Sequence, residues 1–277
     1  MKSKGKSFIS IIIIILFFVI YNFDDIKVWI NDLLPQNTEQ NKNNNTKKLA
    51  DLEYRPKTQA YKIIDNDYAK LPEFKYKVPH INYQKLDYLN RAKGATAYLT
   101  KQNLGKSKGR ESQTFKPTGW FNQPKKINRT RVFPVNRGHL IAYTFSFNLD
   151  NNGNYHRGLT GSIDNPKNLF TQTAFSNQRV MQITENKVRN ALKNNYKVVY
   201  RATPIYRGNE LMARGVLVQA ESTNKKLHFN RFLYNVQPDL DFDYATGRSK
   251  INQNMQIPYP EINYTKKNYH VNKKWKY

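Results

Sequence analysis

The chain has 277 residues, with 46 lysines and arginines against 20 aspartates and glutamates, so its formal net charge is +26. This length suits one domain with appended segments or two small domains, and the charge predicts a polyanionic partner: nucleic acid, an anionic membrane face or an acidic wall polymer. The absence of cysteine excludes disulfides, thiolate metal sites and cysteine nucleophiles.

The N-terminus has the features of an export segment. Lys2, Lys4 and Lys6 precede an apolar run from Phe8 to Ile20, which is the order found in signal peptides. No small-residue cleavage site follows, and the run is shorter than the ~20 residues of a spanning helix. We expect a signal anchor over residues 1–23, with a cleaved signal peptide or a buried helix as alternatives. The remaining chain would then lie on the outer face of the membrane, or be secreted.

The rest of the chain divides by composition. Residues 24–75 are interpreted as a polar linker and lead-in, because residues 36–49 are polar and poor in aliphatic side chains. A dense globular pattern marks residues 76–252 as the main domain. Residues 253–277 combine lysines with Tyr and Trp. Such a tail could stack on single-stranded bases, form an edge strand or contact the cell surface.

Periodicity in the main domain predicts both strands and a helix. A short strand is expected over 131–135, and Val180, Val188 and Leu192 fall on one helical stripe. Further strands are predicted over 196–203, 214–220 and 227–236. A strand, a loop, a helix and then several antiparallel strands are typical of the α+β class.

Four polar motifs occur in order in this domain. They are Asn136-Arg137-Gly138-His139, Asn165-Pro166-Lys167-Asn168, the segment from Gln172 to Gln178, and Glu185 with Arg189 four residues later. This set resembles the DNA/RNA non-specific endonucleases with a ββα-metal active site, above all the membrane-anchored or secreted nucleases of Gram-positive bacteria. Further matching stretches lie at 94–99, 117–120, 235–237 and 243–247. The resemblance therefore covers most of the main domain.

The resemblance implies a fold and an activity. The fold would be α+β, a mixed antiparallel sheet with helices and a ββα-metal finger. The activity would be metal-dependent, sequence-non-specific hydrolysis of phosphodiester bonds in DNA, with RNA left open. It also implies a single Mg²⁺, with Mn²⁺ as the alternative, ligated by Asn177. The family's first motif residue is usually Asp, whereas Asn136 keeps the shape but loses the charge. A catalytically silent DNA-binding surface protein on the same scaffold is therefore the alternative.

Each implied site residue also has a structural alternative. His139 suits a general base because its unperturbed pKa lies near neutrality, but it could be a packed histidine. Asn177 could instead cap a helix. Glu185 lies eight residues on, a rise of ~12 Å in a straight helix. We therefore expect Asn177 to precede a helix that starts at Glu185, with Thr184 as its N-cap. Glu185 would act through metal-bound water, or serve only as a first-turn carboxylate.

The roles of the other implied residues also have two interpretations each. Arg189 either pairs with Glu185 along the helix or binds the scissile phosphate. Asn168 corresponds to a family position beside the histidine and substrate, or it forms a turn. Arg137 adjoins the base, or it forms a structural salt bridge.

Cations that precede the Asn136-Arg137-Gly138-His139 motif are candidates for contacts with the nucleic-acid backbone. The four we single out are Lys125, Lys126, Arg129 and Arg131. Contacts to phosphates carry no sequence information, so we expect salt-sensitive and sequence-tolerant binding. The alternative is a generally solvated basic surface. A protein that binds wall polymers would explain the charge but not the ordered motifs.

Overall fold

The computed structural model describes residues 47–108, 110 and 112–260. The strands are β1 (Tyr61–Ile63), β2 (His80–Tyr83), β3 (Ala95–Leu99), β4 (Lys125–Ile127), β5 (Thr130–Val132), β6 (Val135–His139), β7 (Leu169–Thr173), β8 (Val198–Ile205), β9 (Gly215–Ser222), β10 (His228–Tyr234), β11 (Leu240–Asp243) and β12 (Arg248–Ile251). Helix α1 (Gln182–Lys193) follows a π-helical turn, Ser176–Met181. Short helical turns lie at Asp65–Asp67, Lys101–Asn103, Tyr143–Phe145 and Pro166–Asn168.

A six-stranded antiparallel sheet forms the centre, in the order β1-β10-β9-β8-β3-β2. The predicted strands at 196–203, 214–220 and 227–236 correspond to β8, β9 and β10. Alternate residues of these strands bury one face, because side chains in a strand point to opposite sides in turn. On β8 the buried alternating residues are Val198, Tyr200 and Ala202, which join the apolar face of α1 in one core.

A second antiparallel pair of strands carries the Asn136-Arg137-Gly138-His139 motif and the start of the Gln172–Gln178 segment. Strands β6 and β7 pair with Asn136 opposite Gln172 and His139 opposite Leu169, and β7 leads into the π turn and α1. The predicted strand at 131–135 is divided: β5 ends at Val132 and β6 starts at Val135. Pro134 lies in the gap, where its missing N–H breaks the ladder. The pair and the helix together form the ββα unit that the sequence implied.

The helix begins earlier than predicted. Thr184 is buried within α1, and its hydroxyl donates to the carbonyl of Met181 at 2.7 Å, so it is not an N-cap. The π turn continues the helical backbone directly from the end of β7. The expectation that α1 starts at Glu185 was therefore wrong by one turn. Val188 and Leu192 are fully buried, as the helical stripe predicted.

The folded unit also starts before the predicted boundary at residue 76. Leu49 and Ala50 pack with Ile205 and Phe232, and β1 pairs with β10 at the edge of the sheet. The later part of the predicted linker thus belongs to the fold. The export segment over 1–23 and residues 261–277 of the tail lie outside the described residues. Within the described part, the chain has no helix long and apolar enough to cross a membrane.

Candidate active site

A cavity of about 650 Å³ opens beside β6. It is lined by the end of the ββα unit and by two segments that precede and follow β6. The lining residues are Ser107, Arg110, Gln113, Trp120, Asn122, Val135, Asn136, Arg137, His139, Ala142, Tyr143, Thr144, Asn177, Gln178 and Glu185. The structure therefore brings four of the predicted site residues together: Arg137, His139, Asn177 and Glu185.

His139 is the last residue of β6 and is only 8% exposed. Its Nε2 lies 3.1 Å from the carbonyl oxygen of Ile163. Because a carbonyl can only accept, Nε2 carries the ring proton and Nδ1 keeps its lone pair. Burial, and then the positive charge of Arg110, lower the pKa of His139 to about 4. The imidazole is therefore neutral at neutral pH, with one nitrogen free to accept a proton.

Asn168 holds the chain that follows this histidine. It is fully buried, and its side chain forms two hydrogen bonds with the backbone of Ile141. Asn168 Oδ1 accepts from the Ile141 N–H at 2.9 Å, and its Nδ2 donates to the Ile141 carbonyl at 3.0 Å. The N–H of Leu140 donates to the Asn168 carbonyl at 2.8 Å. Asn168 does not line the cavity, so its place in the fold is that of a clamp on residues 140 and 141.

Asn177 and Glu185 reach the same cavity from consecutive helical turns. Asn177 is half-buried in the π turn, a feature often found at functional sites. Glu185 lies in the first turn of α1, and burial raises its pKa to about 7 against the opposing charge of Arg189. Both residues line one cavity although eight positions separate them, and the π turn lies between them in the chain.

The donors in this cavity fit a hard divalent cation. An amide oxygen and a carboxylate are the ligand types that Mg²⁺ prefers, and Mg²⁺ usually keeps several waters. No group of three or more histidines and carboxylates in the described residues could hold a metal ion by itself. An ion bound here would therefore depend on water and on substrate oxygens for most of its shell, which suits Mg²⁺ better than a structural zinc ion.

Two arginines stand beside the cavity in different settings. Arg137 lines it, and its Nε donates to the carbonyl of Phe115 while its guanidinium lies 4.6 Å from the Trp120 ring. Arg189 does not line it: its Nη2 donates to Thr144 Oγ1 at 2.8 Å. Neither arginine forms an ion pair in the described structure. The ion pair between Glu185 and Arg189 along the helix, one of the two predicted alternatives, is therefore not formed.

A family comparison matches the part of the chain that builds this site. The model of the family described as DNA/RNA non-specific endonuclease matches residues 72–224, more than half of the chain. The chain belongs to the DNA/RNA non-specific endonuclease family. The predictions of this family and of an endonuclease class of enzyme are thereby confirmed.

Several nucleases are similar to this chain at comparable identity. A protein named Deoxyribonuclease from Streptococcus dysgalactiae subsp. equisimilis is 26% identical over 197 residues, which are 61% of this chain and 60% of that relative. The crystal structure of NucA from Streptococcus agalactiae with magnesium ion bound is 26% identical, with a TM-score of 0.62 over 76% of this chain and 96% of NucA. The structure of the Sda1 nuclease with bound zinc ion is 23% identical. The match covers 70% of this chain and 96% of Sda1 at a TM-score of 0.54, and it supports the fold alone. The α+β prediction is confirmed.

The four cations that the sequence singled out lie on one hairpin of this endonuclease. Strands β4 and β5 are joined by Asn128 and Arg129, whose φ angles of 46° and 66° are those of a two-residue type I′ turn. Lys126, Arg129 and Arg131 are exposed and Lys125 is half-buried, and none of them lines the cavity. The hairpin leads directly into β6, so its cations lie on the chain that enters the site.

Sequence reasoning missed the significance of Arg110. In the sequence Arg110 is only one of many basic residues. In the structure it lines the cavity, and its positive charge lowers the pKa of His139. Trp120 and Asn122 lie in or beside a stretch that matched the family but suggested no role. No local pattern marks these residues, because it is the long-range fold that brings Arg110, Trp120 and Asn122 to the same cavity as β6. Asn136, the departure from the family pattern, lines the cavity and offers an amide where a carboxylate is usual.

Proposed function

We propose that this protein is a metal-dependent, sequence-non-specific endonuclease that hydrolyses phosphodiester bonds of DNA. The observation that carries the proposal is that His139, with a free ring nitrogen, and Asn177, from a different element, line one cavity in a chain of net charge +26. A neutral base and an oxygen ligand facing the same space are what hydrolysis at phosphorus needs. The magnesium ion bound in the related NucA structure supports the choice of metal.

In the proposed reaction His139 acts as the general base. Its Nδ1 takes a proton from the water that attacks phosphorus, while the bond from Nε2 to Ile163 keeps the ring from turning. Arg110 disfavours protonation of the ring before substrate binds, so the base is ready across the neutral range. Once the ring is protonated, its positive charge lies close to the negative charge that develops on the phosphoryl oxygens.

Asn177 would hold Mg²⁺, or Mn²⁺ in its place, and Glu185 would accept hydrogen bonds from water on the ion. The bound ion supplies positive charge that stabilises the transition state and the departing 3′ oxygen. Arg137, which lines the cavity, is placed to bind a phosphate next to the scissile one. Arg189 acts through Thr144, to which it is bonded, and Asn168 keeps His139 in place through its bonds to Ile141.

The substrate would be DNA, with RNA left open, because none of these contacts depends on base identity. The hairpin cations Lys125, Lys126, Arg129 and Arg131 would track the backbone of the strand. If residues 1–23 export the chain, as the sequence suggests, the enzyme would work outside the cell, on the membrane or free. We retain a catalytically silent DNA-binding protein as the second candidate, because Asn136 lines the cavity at the family's Asp position.

Plasmid cleavage by the purified full-length protein separates these two candidates. We expect nicking that needs Mg²⁺ or Mn²⁺ and stops in EDTA. The His139→Ala and Asn177→Ala variants should still bind plasmid but lose nearly all cleavage. As a matched control, His228→Ala alters an exposed histidine that does not line the cavity, and it should cut normally.

Two results would count against the proposal. Unchanged nicking by His139→Ala would remove this histidine from the mechanism. Retained plasmid binding with no cleavage at any divalent ion concentration would favour the catalytically silent protein.

A further inference from the structure

The carbonyl that holds the His139 ring lies in a loop. Residues 161–165 form neither helix nor strand, so neither a sheet ladder nor a helical turn fixes the Ile163 carbonyl. Its oxygen accepts from His139 Nε2 at 3.1 Å and from Gln113 Nε2 at 2.8 Å. A carbonyl oxygen has two lone pairs, so it can accept both hydrogen bonds at once. Gln113 therefore helps to place the acceptor that orients the histidine.

The other end of the Gln113 side chain holds Arg110. Arg110 Nη2 donates to Gln113 Oε1 at 2.9 Å, and its guanidinium lies 5.3 Å from the centre of the Tyr143 ring. An arginine at an exposed position has many rotamers, and the bond to Gln113 selects one in which Arg110 lines the cavity. The amide cannot be turned round, because its nitrogen would then face the Arg110 donor and its oxygen the Ile163 carbonyl.

Asp164 keeps the segment that carries Gln113 in register with Ile163. Its carboxylate accepts from the Thr114 N–H at 3.0 Å, from the Thr114 hydroxyl at 2.5 Å and from the Phe115 N–H at 3.0 Å. Asp164 directly follows Ile163, and Thr114 directly follows Gln113, so the two segments are bonded at two neighbouring points. The contact between Gln113 and the loop therefore does not depend on one long side chain alone.

We propose that Gln113 is a positioning residue for the candidate active site: its amide nitrogen holds the Ile163 carbonyl against His139, and its amide oxygen holds Arg110 at the cavity wall. This inference rests on the proposed function, since it takes His139 as the general base. Gln113 lines the cavity, but both ends of its amide are bonded within the protein, so we assign it no contact with the reacting atoms. A base that is oriented in advance needs less reorganisation when substrate binds.

The Gln113→Met variant keeps the length of the side chain and removes both of its hydrogen-bonding ends. We expect the kcat of the purified full-length protein on plasmid DNA to fall ~10-fold, the factor equivalent to one hydrogen bond in the upper part of the usual net range. Gln219→Met is the matched control. Gln219 is buried on β9 and its Nε2 donates to Asn230 Oδ1 at 3.1 Å, but it does not line the cavity, so this variant should keep the wild-type kcat.

Titration of the His139 ring by NMR, without DNA or metal, gives a readout that a merely structural role would not change. Burial and then the charge of Arg110 lower the pKa of His139 to about 4, while the bond to Ile163 and the charge of Asp164 raise it. Of the two groups that Gln113 holds, Arg110 has the larger effect, so Gln113→Met should move this pKa up towards its ordinary value of about 6.5. In the Arg110→Met background the same change should cause no upward shift, and it should still lower kcat through Ile163.

Three outcomes would contradict this role. The first is a Gln113→Met variant whose kcat and His139 titration both equal those of the wild type. The second is an equal loss of kcat in Gln219→Met, and the third is an upward shift in the Arg110→Met background. If Gln113→Met folds poorly, Gln113→Glu takes its place, because a carboxylate still accepts from Arg110 but cannot donate to Ile163. An unchanged kcat in Gln113→Glu would exclude the contact with Ile163 from the mechanism.

Failure of the proposed function gives a different result. A wild type that cuts no DNA, beside a Gln113→Met variant that still shifts the His139 titration, would refute the general base and keep the placement of Arg110. A wild type that cuts DNA no faster than Gln113→Met refutes only the role of Gln113.

Discussion

Replacing Asn168 by alanine would remove both hydrogen bonds that hold Ile141, two residues after His139. The side chain is fully buried, and its two partners are a backbone N–H and a backbone carbonyl at 2.9 and 3.0 Å. Each buried backbone group left without a partner costs about 1–3 kcal/mol. Both groups belong to one residue and can relax together, so we expect unfolding to become easier by about 3 kcal/mol, near the lower half of the summed range.

Urea unfolding and cleavage kinetics test this on the same preparations. The lower free energy of unfolding should come with a reduced kcat, because the backbone that positions His139 is less firmly held. KM for DNA should stay close to that of the wild type, because Asn168 does not line the cavity. Asn103→Ala is the matched control: Asn103 is equally buried and also makes two bonds to backbone, from Thr100 and to Phe147. It should lose comparable stability and keep its kcat.

The reasoning fails if Asn168→Ala unfolds at the same urea concentration as the wild type but no longer cuts DNA. Asn168 would then contact substrate, as the family position had suggested, and would not act as a clamp. An equal loss of kcat in Asn103→Ala would also count against it, because general destabilisation would explain both variants.

Three other predictions concern strain, protonation and salt. A Cβ added at Gly138 would lie 2.6 Å from Cβ of Gln172, so Gly138→Ala should lower the free energy of unfolding by about 1–3 kcal/mol; a wild-type urea midpoint would show that β6 and β7 can separate. The pKa of His139 is lowered to about 4 from about 6.5 in an unfolded chain. Its neutral form therefore stabilises the fold above pH 6.5, and about 3 kcal/mol is lost as pH falls towards 4. Thermal unfolding of His139→Ala should lack this part of the acid dependence, and an unchanged dependence would contradict the assignment. Finally, the double variant Lys126→Ala with Arg129→Ala should bind DNA with a weaker salt dependence. The slope of log Kd against log salt concentration should fall by about 0.9 for each phosphate that the protein no longer neutralises. An unaltered slope would place the hairpin away from the nucleic acid.

Local sequence patterns predicted the strands of the sheet better than they predicted the start of α1. Strands β8, β9 and β10 could be predicted because half-buried strands alternate apolar and polar residues. The start of α1 could not, because no sequence signal marks the π turn at Ser176–Met181. The same turn holds Asn177, which lines the cavity together with Glu185 of α1. The pairing of β1 with β10 joins residues far apart in the chain, so the segment that contains β1 was interpreted as linker.

The candidate site shows the same limit. Motif spacing singled out His139, Asn177 and Glu185, which do line one cavity. It could not single out Arg110, because the relation of Arg110 to the site depends on tertiary contacts between distant segments. Nor could it decide between the two interpretations of Asn168, which differ only in where the side chain points.

The bond between the His139 ring and Ile163 limits how a proton can leave the enzyme. One ring nitrogen is committed to the backbone, so a proton collected at the other cannot be relayed through the ring to the far side. It has to depart by the face on which it arrived. If His139 is the base, as we propose, its recovery after each cut is tied to solvent entering the cavity. Product that stays in the cavity would then delay deprotonation and also block the next strand.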